Sequence, residues 1–227
     1  MEEAAFGAFD AFGAGRPRGS VTALMDGRIA VLVSGSGTNL QALLDDPVIG
    51  PRIVLVLSDR PGVFALERAE RAGVETVILQ LGDYPDRAAY SESVRDALLA
   101  RDVDIAVSAG YMRILGRAFA DAFAGRWLNV HPALLPAFPG PHAVRDALAW
   151  GVKVTGVTVH LVDEQVDHGP VVVQEAIPVF PEDDWDSLEA RVHEVEHRLL
   201  PGAVRALLEG HLKVDGRIVH VLGDAGG

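Results

Sequence analysis

From Arg28 to His131 the chain repeats one pattern, a short unbroken apolar run followed by a segment whose apolar residues recur three and four apart. The runs are IAVLV (29–33), IVLVLS (53–58), VETVILQ (74–80), DIAVSA (104–109) and WLNVH (127–131). A strand with one wet face alternates apolar and polar residues, whereas continuous Val/Ile/Leu runs belong to strands covered on both faces. The intervening TNLQALLDD, GVFALERAERAG, PDRAAYSESVRDALLARD and GRAFADAFAG carry helical spacing. This alternation predicts an α/β fold: an open, mostly parallel, twisted sheet with helices on both faces. Gly73 falls where a helix C-cap is wanted, and Pro85 where a helix has its first turn.

After Pro141 the pattern changes. A short helix, HAVRDALAW, precedes two β-rich runs, VTGVTVHLV and GPVVVQEAIPV, joined by DEQVDHG; a long helix spans about Trp185 to Glu209. Asp215-Gly216 between apolar runs in LKVDGRIVHVL signals a hairpin. The first 26 residues, rich in Gly and Ala, read as a flexible N-terminal tail, leaving 27–227 as a single domain. That opening has acidic Glu2 and Glu3 and is broken by Gly7, Asp10 and Gly13, so it does not resemble a signal peptide. No segment has the roughly 18 apolar residues of a membrane span.

Composition narrows the function. The absence of cysteine removes disulfide scaffolds, Cys-rich metal modules and thiol nucleophiles, and makes a cytoplasmic enzyme the expectation. With 20 basic against 32 acidic residues and a net charge of −12, the chain is a poor partner for nucleic acid, whose binding rests on Lys and Arg neutralising phosphates. An anionic ligand therefore needs a local device.

Four segments carry chemistry. Ser34-Gly35-Ser36-Gly37-Thr38-Asn39 leaves the first strand for a helix, and its N–H groups make a phosphate cradle. Leu40 stands where a dinucleotide fingerprint needs its third glycine, although Asp59 ends the second strand where a ribose-binding acid sits, so an NAD(P)-dependent oxidoreductase stays open. His193-Glu194-Val195-Glu196-His197 satisfies the zinc-hydrolase pattern H-E-x-x-H. It lacks the extended Gly and His, and Pro201 is expected to cut the helix four residues after His197. Asn129-Val130-His131 ends an apparently central strand, where open sheets bind ligands, and offers two donors to an oxyanion. Finally, Val162 to Pro170 reads as a loop between strands; a carboxylate in it near His131 would complete a proton-transfer pair.

Taken together, GSGTN (35–39), AGYMRIL (109–115), NVHPALLPAFPG (129–140) and VDHGP (166–170) resemble the folate-dependent glycinamide ribonucleotide (GAR) formyltransferase family over residues 28–214. The resemblance implies a Rossmann-like formyltransferase fold with C-terminal antiparallel strands and a long helix. It implies formyl transfer from 10-formyltetrahydrofolate, a co-substrate, to the GAR amine in purine biosynthesis, with no metal. It makes Asn129, His131 and Asp167 the catalytic trio. Gly37, Thr38, Asn39 and Glu196 would hold GAR; Arg87, Met112, Arg113, Ile114, Leu115 and Asn129 would line the folate pocket. The partners it implies are these two small molecules, with neither nucleic acid nor membrane, and a homodimer is compatible with it. This sequence departs from the pattern at Val144, where members often carry a second histidine, at His168, where many carry Gly, and at His193, where many carry Gln. Methionyl-tRNA formyltransferase would bring a C-terminal RNA-binding domain, and formyltetrahydrofolate deformylase an N-terminal regulatory one.

Overall fold

The computed structural model describes Leu24 and residues 27–222. Apart from Leu24, the tail expected at 1–26 lies outside the described residues. Five strands, β1 (Ile29–Val33), β2 (Ile53–Ser58), β3 (Glu75–Ile78), β4 (Ile105–Ser108) and β5 (Trp127–His131), coincide with the five apolar runs and pair in parallel, in the order β3-β2-β1-β4-β5. Direction then reverses. Strand β6 (Val154–Leu161) runs antiparallel to β5 and to β7 (Val171–Pro178), and the hairpin β8 (Leu212–Asp215) and β9 (Ile218–Val221) joins the sheet through β7. The result is one nine-stranded sheet.

The continuous apolar runs follow from what covers them. Ile29, Val31 and Val33 of β1 face one core, and Ala30 and Leu32 face another. The first core holds α1 (Thr38–Leu44), α2 (Phe64–Arg71) and α6 (Trp185–Leu208), with α5 (Ala143–Trp150) entering through Val144. Tyr90, Val94 and Leu98 of α3 (Arg87–Leu99) and Phe119 of α4 (Arg117–Ala122) build the second, together with Phe123 and Trp127. With both faces buried, strand periodicity leaves no polar position to show itself.

Two local expectations are corrected. Helix α3 begins after Asp86, whose carboxylate accepts the Ala89 N–H at 2.8 Å, so Pro85 precedes the cap and is not in the first turn. Helix α6 runs through Pro201 to Leu208. An internal proline costs about 3 kcal/mol, but Leu200, Leu207 and Leu208 beyond His197 are at most 1% exposed, and each such burial contributes roughly 1.5–3 kcal/mol. Packing outweighs the missing backbone bond.

Candidate active site

Strand order reverses between β1 and β4, and open α/β sheets bind ligands beyond the carboxyl ends of strands at such a point. The two strand ends are tied there by the Met112 N–H, which donates to Ser34 Oγ at 2.8 Å. Two groups of functional side chains flank this junction, one beyond β1 and one beyond β5. With β4 between them, they stand two strand spacings apart, about 10 Å.

Beyond β1, Gly37 caps α1 with φ +71°, a conformation that only glycine adopts without strain, and a Cβ there would lie 2.6 Å from Ala65 Cβ. The turn is thus pressed against α2, where Arg68 Nε donates to Ser36 O at 2.9 Å. Asn39 is buried, and its Nδ2 donates to Glu196 Oε2 at 2.9 Å; the same oxygen lies 2.8 Å from His193 Nδ1. So Asn39 and Glu196, far apart in sequence, meet behind the Gly37–Thr38 turn. The hydrogen bond to Glu196 raises the His193 pKa above its ordinary value against the opposing effect of burial. Burial, aided by the His193 and Arg68 charges, lowers that of His197. The two rings stack at 5.8 Å, and among the described residues no group of three or more His, Cys, Asp or Glu is arranged to hold a metal ion.

Beyond β5, Asn129 and His131 point to one face of the sheet, as residues two apart in a strand must. The antiparallel register sets His160 opposite Asn129 and Thr158 opposite His131. Thr158 Oγ1 donates to Ala133 O at 2.7 Å and accepts from Leu135 N at 3.1 Å, which pins the start of the proline-rich loop containing the cis Leu135–Pro136 bond. The loop then folds back over the strand end. His131 Nε2 lies 2.8 Å from Phe138 O, and the Gly140 N–H donates to Asp167 Oδ2 at 2.7 Å.

Asp167 comes from the β6–β7 loop with φ +50°. Its Oδ2 stands 3.5 Å from His131 Nδ1, and its Oδ1 stands 3.5 Å from Asn129 Nδ2 and 3.8 Å from His160 Nε2. The trio expected from the sequence is therefore assembled around one carboxylate. Burial raises the Asp167 pKa, but His160, the Gly140 N–H and His131 together more than offset it, and the carboxyl titrates below its ordinary value. Both neighbours of the His131 ring, the Phe138 carbonyl and the Asp167 carboxylate, are acceptors. A ring bearing N–H on both nitrogens satisfies both.

The trio lines a cavity of about 270 Å³ whose wall also includes Met112, Arg113, Ile114 and Leu115. Arg113 Nε donates at 2.6 Å to Asp59, whose side chain is wholly buried. Its burial keeps a ribose hydroxyl from reaching it in the manner of a dinucleotide enzyme. Arg87 is the expected pocket residue that the structure leaves off this wall. It is exposed at the start of α3, where its carbonyl accepts from Ser91 Oγ, which in turn accepts from the Gly116 N–H. It therefore stands beside the segment following Leu115 without entering the cavity.

Sequence reasoning missed His160, the Gly140 N–H and Tyr111, all of which line the cavity. His160 had a signal, a lone histidine in the otherwise apolar VTVHLV. Tyr111 lay inside a motif already singled out; its hydroxyl pairs with that of Tyr90, and burial pushes its pKa well up.

A sequence profile for the family described as "Formyl transferase" matches residues 27–204. This chain belongs to the formyl transferase family. The phosphoribosylglycinamide formyltransferase of Mycobacterium tuberculosis is 48% identical to it over 192 residues, which cover 84% of this chain and 89% of that relative. The trifunctional purine biosynthetic protein adenosine-3 of Drosophila melanogaster is 44% identical over 188 residues, but this chain spans only 14% of its length. Among solved structures, the glycinamide ribonucleotide transformylase 1 of Symbiobacterium toebii superposes with a TM-score of 0.83 at 47% identity, covering 86% of this chain and 94% of that one. A Coxiella burnetii phosphoribosylglycinamide formyltransferase in complex with CHES gives 0.80 at 34% identity, covering 86% and 93%. The mixed sheet with its parallel core, C-terminal antiparallel strands and long helix is the fold of these formyl transferases.

Proposed function

We infer that this chain is a phosphoribosylglycinamide formyltransferase, which moves a formyl group from 10-formyltetrahydrofolate to the amine of GAR and releases formyl-GAR and tetrahydrofolate in purine biosynthesis. The observation that carries the reading is the convergence of Asn129, His131 and Asp167 in the wall of a cavity beyond β5, two strands from the glycine turn that opens α1.

GAR carries its phosphate and its nucleophilic amine at opposite ends, which suits two sites flanking the junction. The turn at Gly37, Thr38 and Asn39 receives the phosphate, and Glu196, held by Asn39, faces the same substrate. The folate lies along Met112, Arg113, Ile114 and Leu115, with its formyl carbon toward Asn129 and His131. Arg87, exposed and outside the cavity, would meet the carboxylate tail of the folate at the surface.

Attack of the amine on the formyl carbon gives a tetrahedral intermediate with a negative oxygen. Asn129 Nδ2 has one firm partner, His160 at 3.1 Å, while its 3.5 Å approach to Asp167 is at the limit of a hydrogen bond, so one amide hydrogen serves the oxyanion. His131 supplies the second donor, the oxyanion competing with Phe138 O for the Nε2–H. Asp167 holds the ring by its charge and carries the proton that leaves the attacking amine toward the folate nitrogen that departs. Most of the acceleration comes from placing two substrates together and from electrostatics already in position. The enzyme is expected in the cytoplasm; among the described residues no helix is long and apolar enough to cross a membrane.

The test is to mix the protein with 10-formyltetrahydrofolate and GAR and follow the folate absorbance. Consumption that requires GAR supports the transfer, and equal consumption without GAR assigns deformylation instead. His131→Ala is expected to abolish turnover with an unchanged circular dichroism spectrum. Near-normal activity in that variant would refute the mechanism.

A further inference from the structure

Asp167 holds its position in a loop that has little intrinsic reason to be rigid. Residues 162–170 contain no regular structure, and Asp167 itself adopts φ +50°, a strained choice for a residue other than glycine. The loop is closed at its base, where Leu161 N donates to Pro170 O at 2.9 Å and Gly169 approaches Leu161 O so closely that a Cβ would lie 1.8 Å away. What fixes its tip is the residue after Asp167. His168 Nδ1 donates to Asp163 Oδ2 at 2.8 Å across the loop. Its carbonyl accepts from Arg217 Nη2 at 2.6 Å, and its Nε2 accepts from Arg217 Nη1 at 3.3 Å.

Arg217 is, with Gly216, one of the two residues of the β8–β9 turn, in a hairpin beyond the stretch 27–204 that carries the family match. The hairpin is itself anchored. Leu212 is fully buried in the first core with Val214 and Val219 packed against it, and Ile218 pairs with Val171, the first residue after the loop and its closing proline. A guanidinium on a fixed scaffold therefore grips the backbone and the ring of the residue adjoining the carboxylate, with the planar two-point geometry that arginine provides.

We propose that Arg217 is a positioning residue for formyl transfer: through His168 it holds the 162–170 loop so that the Asp167 carboxylate stays against Gly140 and within reach of His131. The proposal rests on the role given to Asp167 above. It assigns the C-terminal hairpin a part in the reaction, and it assigns His168 the job of receiving the clamp.

The clamp acts on the geometry of Asp167 and touches neither substrate, so Arg217→Ala is expected to lower kcat about tenfold with each KM within about twofold, since small displacements of a reacting group carry large rate costs. Arg217→Lys, which keeps one donor for the His168 carbonyl, restores part of kcat. His168→Ala lowers kcat as well, and the double variant is no worse than the poorer single one. A drop in melting temperature with kcat unchanged, a loss carried by KM instead of kcat, or strictly additive losses in the double variant overturns the clamp. Asp167→Asn measured alongside separates the two ideas: if it is fully active, the role of Asp167 has failed; if it is impaired while Arg217→Ala is not, only the clamp has.

Discussion

Replacing Asp167 by asparagine removes one charge while keeping shape, and the structure sets the size of the effect. At 3.5 Å and an effective dielectric constant of about 20, a carboxylate facing a charged imidazole is worth at most about 5 kcal/mol. The carboxylate is shared with Gly140 and His160, and an asparagine oxygen retains the Gly140 bond, so roughly half of that ceiling is lost. A loss of about 2–3 kcal/mol from the transition state corresponds to a fall of roughly 30- to 150-fold in kcat. KM for GAR and for 10-formyltetrahydrofolate should move little, because Asp167 reaches both only through the reacting centre. Initial rates of folate absorbance change, with each substrate varied in turn, measure both quantities. The same variant has a stability signature. Asp167 titrates below its ordinary value in the folded protein, so its ionised form stabilises the fold at pH above the ordinary carboxylate value near 3.9, and that contribution disappears as pH falls through the lowered one. The gap in melting temperature between wild type and Asp167→Asn should therefore be constant above about pH 5 and close in more acid solution. More than a third of wild-type kcat, or a loss confined to KM, refutes the electrostatic role.

Other perturbations probe the remaining parts. Arg87→Ala should raise KM for 10-formyltetrahydrofolate by about two- to fivefold, the worth of one exposed charge contact, and leave KM for GAR unchanged. Equal losses for both substrates count against its placement. Gly37→Ala forces a side chain into φ +71° and against Ala65, and should cost about 2 kcal/mol or more, a drop of roughly 4–8 °C in melting temperature by calorimetry. An unchanged melt means the turn relaxes freely. Glu196→Gln keeps a partner for Asn39 but removes the charge beside His193, and should return the His193 pKa, followed by NMR titration, toward its ordinary value. A His193 that titrates as before shows that another group holds its proton.

The parallel half of the fold was legible because its inner strands β2, β1, β4 and β5 are largely buried on both faces and each run ends at a turn residue; the edge strand β3 is partly exposed but is still a short apolar run. Asn129 and His131 were legible for a related reason, since they share a strand and a face. What the chain does not write down is distance between segments. The spacing of His131 and Asp167 depends on how the proline loop folds back through Phe138 and Gly140, and no local propensity encodes that. Pro201 was misread because a local rule about helices was applied where burial of the next two turns decides the outcome. Arg87 entered through resemblance alone, and its exposure reflects a helix start determined by the Asp86 cap.

The pairing of β5 with β6 also separates what can vary in length from what cannot. Side chains on β6 are assigned to a face by the ladder, so the connection through Gly151 to Lys153 can gain or lose residues without moving His160 from its place opposite Asn129. One residue inserted between Val154 and Val159 has the opposite effect: it sends His160 into the hydrocarbon side and turns a valine toward the substrates. Insertions scanned along this stretch should tolerate length change up to the first hydrogen-bonded pair and lose turnover from there on, which makes the α5–β6 connection the place to graft new sequence.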